Sequence, residues 1–68
     1  MSMKIFSERL IELRKERGLS QATIAKDLGV SLGIVCYWEK NKSEPTAPNI
    51  AKLAHYFNVT ADYLLGLE

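Results

Sequence analysis

The sequence predicts an all-α fold of five helices, and three observations carry that expectation. One three-residue phrase recurs: Gly18-Leu19-Ser20, Gly29-Val30-Ser31 and Asn58-Val59-Thr60. Each places a residue tolerant of positive φ first, an apolar residue second and a small hydroxyl residue third. Gly, and less often Asn, suits the position just past a helix's last turn. Ser and Thr suit the position before a first turn, where the hydroxyl accepts a bond from an orphan N–H. The phrase therefore ends one helix and begins the next. The second observation is that each hydroxyl residue is bracketed by an apolar pair, Leu19/Ile24, Val30/Val35 and Val59/Leu64, at the spacing that fixes a helix's entry angle. The third is that no stretch alternates apolar and polar residues with period two, so no strand is expected.

The elements follow in order. Phe6, Leu10 and Leu13 lie on one helical face, so a first helix is expected from about Phe6 to Arg17, stopped by Gly18. A second runs from Gln21 to Leu28 and buries Ile24, Ala25 and Leu28. A third runs from Leu32 to about Lys40 and buries Val35 and Trp38. NKSEPTAP, residues 41–48, is polar with two prolines and reads as a loop. Thr46 caps a fourth helix, with Pro48 tolerated in the first turn. Ile50, Leu53, Ala54 and Phe57 form its buried face. Asn58 ends it, and a short fifth helix runs from Ala61 to about Leu65.

Composition bounds what such a chain does. Sixty-eight residues make one domain, spanning 1–68, and a domain of this size buries only about 60% of its unfolded surface. A hydrophobic content of 47% is in the globular range and argues against disorder. One Cys and one His exclude an internal disulfide and a Cys/His zinc site, so no metal and no cofactor are expected. No apolar run suits a signal peptide or a membrane span. The expectation is a soluble, cytoplasmic protein. Residues 1–42 hold eight Lys or Arg against five acids, a net of +3, whereas residues 43–68 hold one Lys against three acids, a net of −2. A basic N-terminal part suits an anionic partner. Glu8, Glu12 and Glu16 interleave with the bases as helix-surface pairs do, so charge alone does not choose one.

The unit from Gln21 to Lys40 carries more. Ala25 lies on the buried face of the second helix, where a large side chain would hold two helices apart. Gly29 supplies the left-handed turn residue, and Val35 is a stiff core residue on the next helix. Together they let two helices cross as a helix-turn-helix does, with the second helix able to enter a DNA major groove. Trp38 reads as core, and His55 as a surface residue at the edge of the fourth helix. Cys36 reads as a small residue on the outer face. One His and one Cys on separate helices make no catalytic arrangement, so no enzyme activity is expected.

The run RLIELRKERGLSQATIAKDLGVSLGIVCYWEKNKSEP resembles the lambda-repressor-like, Cro/CI-type (XRE) helix-turn-helix family, and FNVTADYLLG resembles that family's junction of fourth and fifth helices. The resemblance implies a compact five-helix domain that binds double-stranded operator DNA, commonly as a homodimer, to regulate transcription. It implies phosphate contacts at Gln21, Lys40, Asn41 and Lys42. It places Leu32, Gly33 and Tyr37 at base-reading positions, with Ile34 and Cys36 nearby. It matches Arg14 and Glu39 to an ion pair that ties the first helix to the third.

The sequence departs from the family's habit where bases are read. Leu32, Gly33, Ile34 and Cys36 stand where Gln, Arg, Asn, Ser or Thr are common, leaving Tyr37 as the polar reader. Apolar groups contact a thymine methyl but make no bidentate pair with guanine or adenine. Two readings follow: a regulator, expected to be a repressor, that leans on thymine methyls, Tyr37 and DNA shape, or a protein-interaction module of antitoxin or anti-repressor type on the same fold. A dimer surface is expected around Pro48, Tyr63 and Leu67, because the fifth helix is too short to stand alone.

Overall fold

Four of the five helices begin at a hydroxyl cap. In the computed structural model, which describes residues 3–68, the elements are α1 (Lys4–Glu16), α2 (Gln21–Leu28), α3 (Leu32–Glu39), α4 (Ala47–Phe57) and α5 (Ala61–Leu65), with no strand among the described residues. Ser20, Ser31, Thr46 and Thr60 accept from the backbone N–H of Thr23, Ile34, Asn49 and Tyr63 at 3.0, 3.1, 3.3 and 3.0 Å. Each such cap is worth about 1 kcal/mol. The α1 helix starts two residues before the expected Phe6 and has no side-chain cap, since Met3 occupies the N-cap position. It closes at Glu16, with Arg17 as its C-cap, and α3 closes at Glu39 with Lys40 in the same role.

The helix ends repeat one device. At Gly29, φ is 70°, and the backbone folds back so that Gly29 N–H donates to Lys26 and Val30 N–H to Ala25. The same pair of bonds closes α4 at Asn58 and Val59, with Asn58 at φ 55°. Such reversed turns satisfy carbonyls that the helix leaves orphaned. The staple residues behave as their spacing requires. Ile24, Val35 and Leu64 are fully buried, and Leu19, Val30 and Val59 pack half-buried against the same core.

That core is filled from every helix. Phe6 and Leu10 of α1 meet Trp38 of α3 and Leu53 of α4 with essentially no exposure. The Phe6 and Trp38 rings sit edge to face at 6.3 Å and 83°, a geometry that adds stabilisation beyond burial. Buried Ser7 donates its hydroxyl to the Trp38 carbonyl, joining α1 to α3 in the interior. Cations also grip the C-terminal carbonyls of α2, α4 and α5. Arg17 donates to the Tyr56 and Phe57 carbonyls of α4 at 3.1 and 2.8 Å, and Lys52 to Leu28 of α2 at 3.5 Å. Arg9 donates to the Tyr63 carbonyl of α5 while stacking 4.2 Å over the Tyr63 ring. Each cation meets the negative end of a helix dipole. The whole measures 27 × 23 × 20 Å, and no helix among the described residues is long and apolar enough to cross a membrane.

Candidate nucleic-acid interface

The α2–α3 pair is held from below so that one face of α3 is left outward. Val35 and Trp38 point into the core, which forces Leu32, Gly33 and Tyr37 to the opposite side. Leu32 is 49% and Tyr37 52% exposed, and Gly33 is exposed beside them. Ile34 is different. It packs half-buried against the core, so the outward apolar surface is made by Leu32 and Tyr37.

The orientation of α3 is anchored by charge. Arg14 of α1 donates from Nε to Glu39 Oε2 at 2.7 Å and from Nη2 to Glu39 Oε1 at 3.0 Å, a two-pronged contact. The side chains are only 17% and 6% exposed. The hydrogen bond to Glu39 lifts the Arg14 pKa above its ordinary value, against the opposing pull of burial. A third donor, Arg14 Nη1, reaches the Leu19 carbonyl at 3.1 Å, beside the Ser20 cap. The guanidinium thus joins the end of α1, the start of α2 and the end of α3.

Gln21, the first residue of α2, is drawn into this network. Its Nε2 donates to Glu39 Oε1 at 2.9 Å, and its Oε1 accepts from Cys36 Sγ at 3.0 Å. Neither contact was legible in the sequence, because residues 15 and 18 positions away meet only once two helices cross. Cys36 is accordingly half-buried, engaged with Gln21 rather than presented outward like Tyr37.

Lys40, Asn41 and Lys42 follow α3 and are exposed. Asn41 has φ 58°, and Lys42 N–H returns to the Tyr37 carbonyl at 2.9 Å. Asn41 is therefore the left-handed residue that closes α3, as Asn58 closes α4. Its neighbour Lys42 occupies the place that Val59 fills with an apolar side chain at the other turn. Pro48 is exposed in the first turn of α4, Tyr63 is half-buried under Arg9, and Leu67 is 64% exposed beyond α5. No group of three or more His, Cys, Asp or Glu able to hold a metal occurs among the described residues.

A short α-helix, a tight left-handed turn and a second helix with an uncovered outer face define a recognisable unit. A family model described as helix-turn-helix matches residues 10–64, from the middle of α1 to α5. The chain belongs to the helix-turn-helix family, of Cro/CI type. Among relatives of this helix-turn-helix chain, repressor protein C2 of Salmonella phage P22 is 32% identical over 65 residues, covering 96% of this chain and 30% of the repressor. The HTH-type transcriptional activator BcrR of Enterococcus faecalis is 35% identical over 63 residues, 93% of this chain and 31% of the activator. The chain spans about a third of the length of these two. It also matches the uncharacterised HTH-type transcriptional regulator YazB of Bacillus subtilis (strain 168) from end to end, 34% identical over 68 residues, 100% of one and 99% of the other.

Proposed function

We propose that this chain is a sequence-specific DNA-binding transcriptional regulator, a repressor, that inserts α3 into the major groove of double-stranded operator DNA as a homodimer. The observation that carries the proposal is the outward face of α3. Leu32, Gly33 and Tyr37 stand together on a helix whose other side is locked by Val35, Trp38 and the Arg14–Glu39 contact. Rigid mounting with an open face is what reading base edges requires. Gln21 at the α2 N-terminus, and Lys40 and Lys42 with Asn41 beyond α3, flank that face where phosphates would run. Relatives named as repressor and activator support regulation as the biological setting. The homodimer is proposed around Pro48, Tyr63 and Leu67. A two-fold pair would set two α3 helices about 34 Å apart, one turn of DNA.

Selection of bound sequences from a random DNA pool tests the proposal, followed by affinities for the selected and a scrambled site across salt. Lys42→Ala should weaken both sites alike and reduce the salt slope by about one unit. Tyr37→Ala and Leu32→Ala should each erode site preference by roughly 1–3 kcal/mol while sparing non-specific binding. A chain with no site preference ends the regulator proposal. It would favour the second reading, a protein-interaction module, which draws on the same two side chains, Leu32 and Tyr37, as an exposed apolar surface.

A further inference from the structure

Four side chains from three helices form one hydrogen-bonded chain under the proposed interface. Arg14 fixes Glu39, Glu39 accepts from Gln21, and Gln21 accepts from Cys36. Partner chemistry dictates which way the Gln21 amide faces. A carboxylate only accepts, so the amide nitrogen must face Glu39; the oxygen then faces Cys36, whose thiol can donate. Glu39 is itself immobilised by two bonds from Arg14, so one end of the amide is pinned to a fixed acceptor. The thiol pins the other. With both ends held, the second hydrogen on Nε2 has one direction left to it. It lies at the start of α2, where the first backbone N–H groups have no partner within the helix.

We infer that Cys36 is a positioning residue: through its thiol and with Glu39 opposite, it fixes the Gln21 amide in the orientation that offers its free N–H to a DNA phosphate. The inference deepens the proposed function and rests on it for the phosphate. It moves Cys36 from base reading to holding a neighbour. Tyr37 and Leu32 read; Cys36 and Glu39 aim.

The test compares Cys36→Ser, which keeps a donor, with Cys36→Ala, which removes it, each alone and combined with Gln21→Ala. In the absence of DNA, NMR relaxation of the Gln21 side-chain amide should show it ordered in the wild type and in Cys36→Ser, and loosened in Cys36→Ala. That readout holds whether or not the chain binds DNA. An amide equally mobile in all three overturns the inference, while a chain that binds no DNA but keeps an ordered, thiol-dependent amide overturns only its phosphate role. With DNA, Cys36→Ala should lower affinity for selected and scrambled sites alike, by about three- to tenfold. In the Gln21→Ala background it should lower it no further. Melting temperatures check that the variants stay folded. Should Cys36→Ala instead change base preference, and do so equally without Gln21, Cys36 is a reader. Should Cys36→Ser fail as Cys36→Ala does in a folded protein, donation is not its role.

Discussion

The turn between α2 and α3 and the turn between α4 and α5 are built from the same parts in the same order. Ile24, Ala25, Leu28, Gly29, Val30, Ser31 and Val35 in the first correspond to Leu53, Ala54, Phe57, Asn58, Val59, Thr60 and Leu64 in the second, 29 positions later. Both alanines are buried, both left-handed residues close a helix, and both hydroxyls cap the next. Yet the helices that follow differ. The α3 helix runs eight residues and keeps Tyr37 outward, whereas α5 runs five and stops at Gly66, the position equivalent to Tyr37. A Cβ at Gly66 would lie 2.9 Å from the Ile5 side chain of α1. The second unit is folded down onto α1, with Arg9 stacked on Tyr63. The turn therefore sets how two helices meet; it does not by itself leave a helix face open. An open face needs a following helix long enough, and uncovered enough, to present it.

If the two turns are equivalent, equivalent damage should cost alike. Ile24→Ala and Leu53→Ala each empty a fully buried position and should each cost about 2–5 kcal/mol, read by chemical denaturation. A large difference between them would show that one turn dominates stability. The first turn has a support the second lacks. Glu39→Ala should cost about 3 kcal/mol, because Arg14 is left in a largely buried site without its carboxylate. A double-mutant cycle with Arg14→Ala should show coupling of comparable size; no coupling would reduce the contact to geometry.

These comparisons also separate what the sequence disclosed from what it hid. The bounds of α2 and α5 were legible because their caps and staples are local, readable within five residues. The start of α1 was not, since Met3 gives no capping signal. The outer face of α3 was legible by period, but its membership was overdrawn: Ile34 turns toward the core and Cys36 toward Gln21. The cationic grips of Arg9, Arg17 and Lys52 on distant carbonyls left no trace in spacing, because a long flexible side chain reaches whatever the fold brings near. Asn41 was expected at a phosphate; what the fold shows is a conformational reason for an asparagine there, its left-handed φ.

Smaller effects refine the comparison further. Ser31→Ala and Thr60→Ala should each cost about 1 kcal/mol through the lost cap. Asn58→Gly should be tolerated, since glycine adopts the same φ without a Cβ, whereas Gly29→Ala should cost about 1 kcal/mol. Unequal cap losses would show that one turn frays first. The smallest effect joins the two units. Asp27 and Tyr56 occupy equivalent positions, and the Tyr56 hydroxyl donates to Asp27 Oδ2 at 2.6 Å. That bond holds the Tyr56 pKa above its ordinary value, with burial and the Asp27 charge adding to it. The neutral phenol is thus favoured in the folded state. Its contribution is complete below the ordinary tyrosine value of about 10 and is lost as pH rises through the raised one. Tyr56→Phe should lower neutral-pH stability by about 0.5 kcal/mol and flatten the alkaline fall. An unchanged alkaline fall in that variant would assign it to another group.

The cations bound to helix ends shape how the molecule is met from a distance. A helix C-terminus acts as roughly half a negative charge, and Arg9, Arg17 and Lys52 each sit on one. Their charge is largely answered within the fold. Lys40 and Lys42 stand exposed beyond α3, while Asp62 and Glu68 stand exposed around α5. At physiological salt, fields fade over about 8 Å, far less than the 20 Å of the shortest dimension. An approaching polyanion therefore senses one side at a time, and a net charge of +1 describes none of them. If DNA is the partner, as proposed, Lys40 and Lys42 would draw it to the α3 side while Asp62 and Glu68 would repel it at the α5 end, orienting the encounter before any side chain touches.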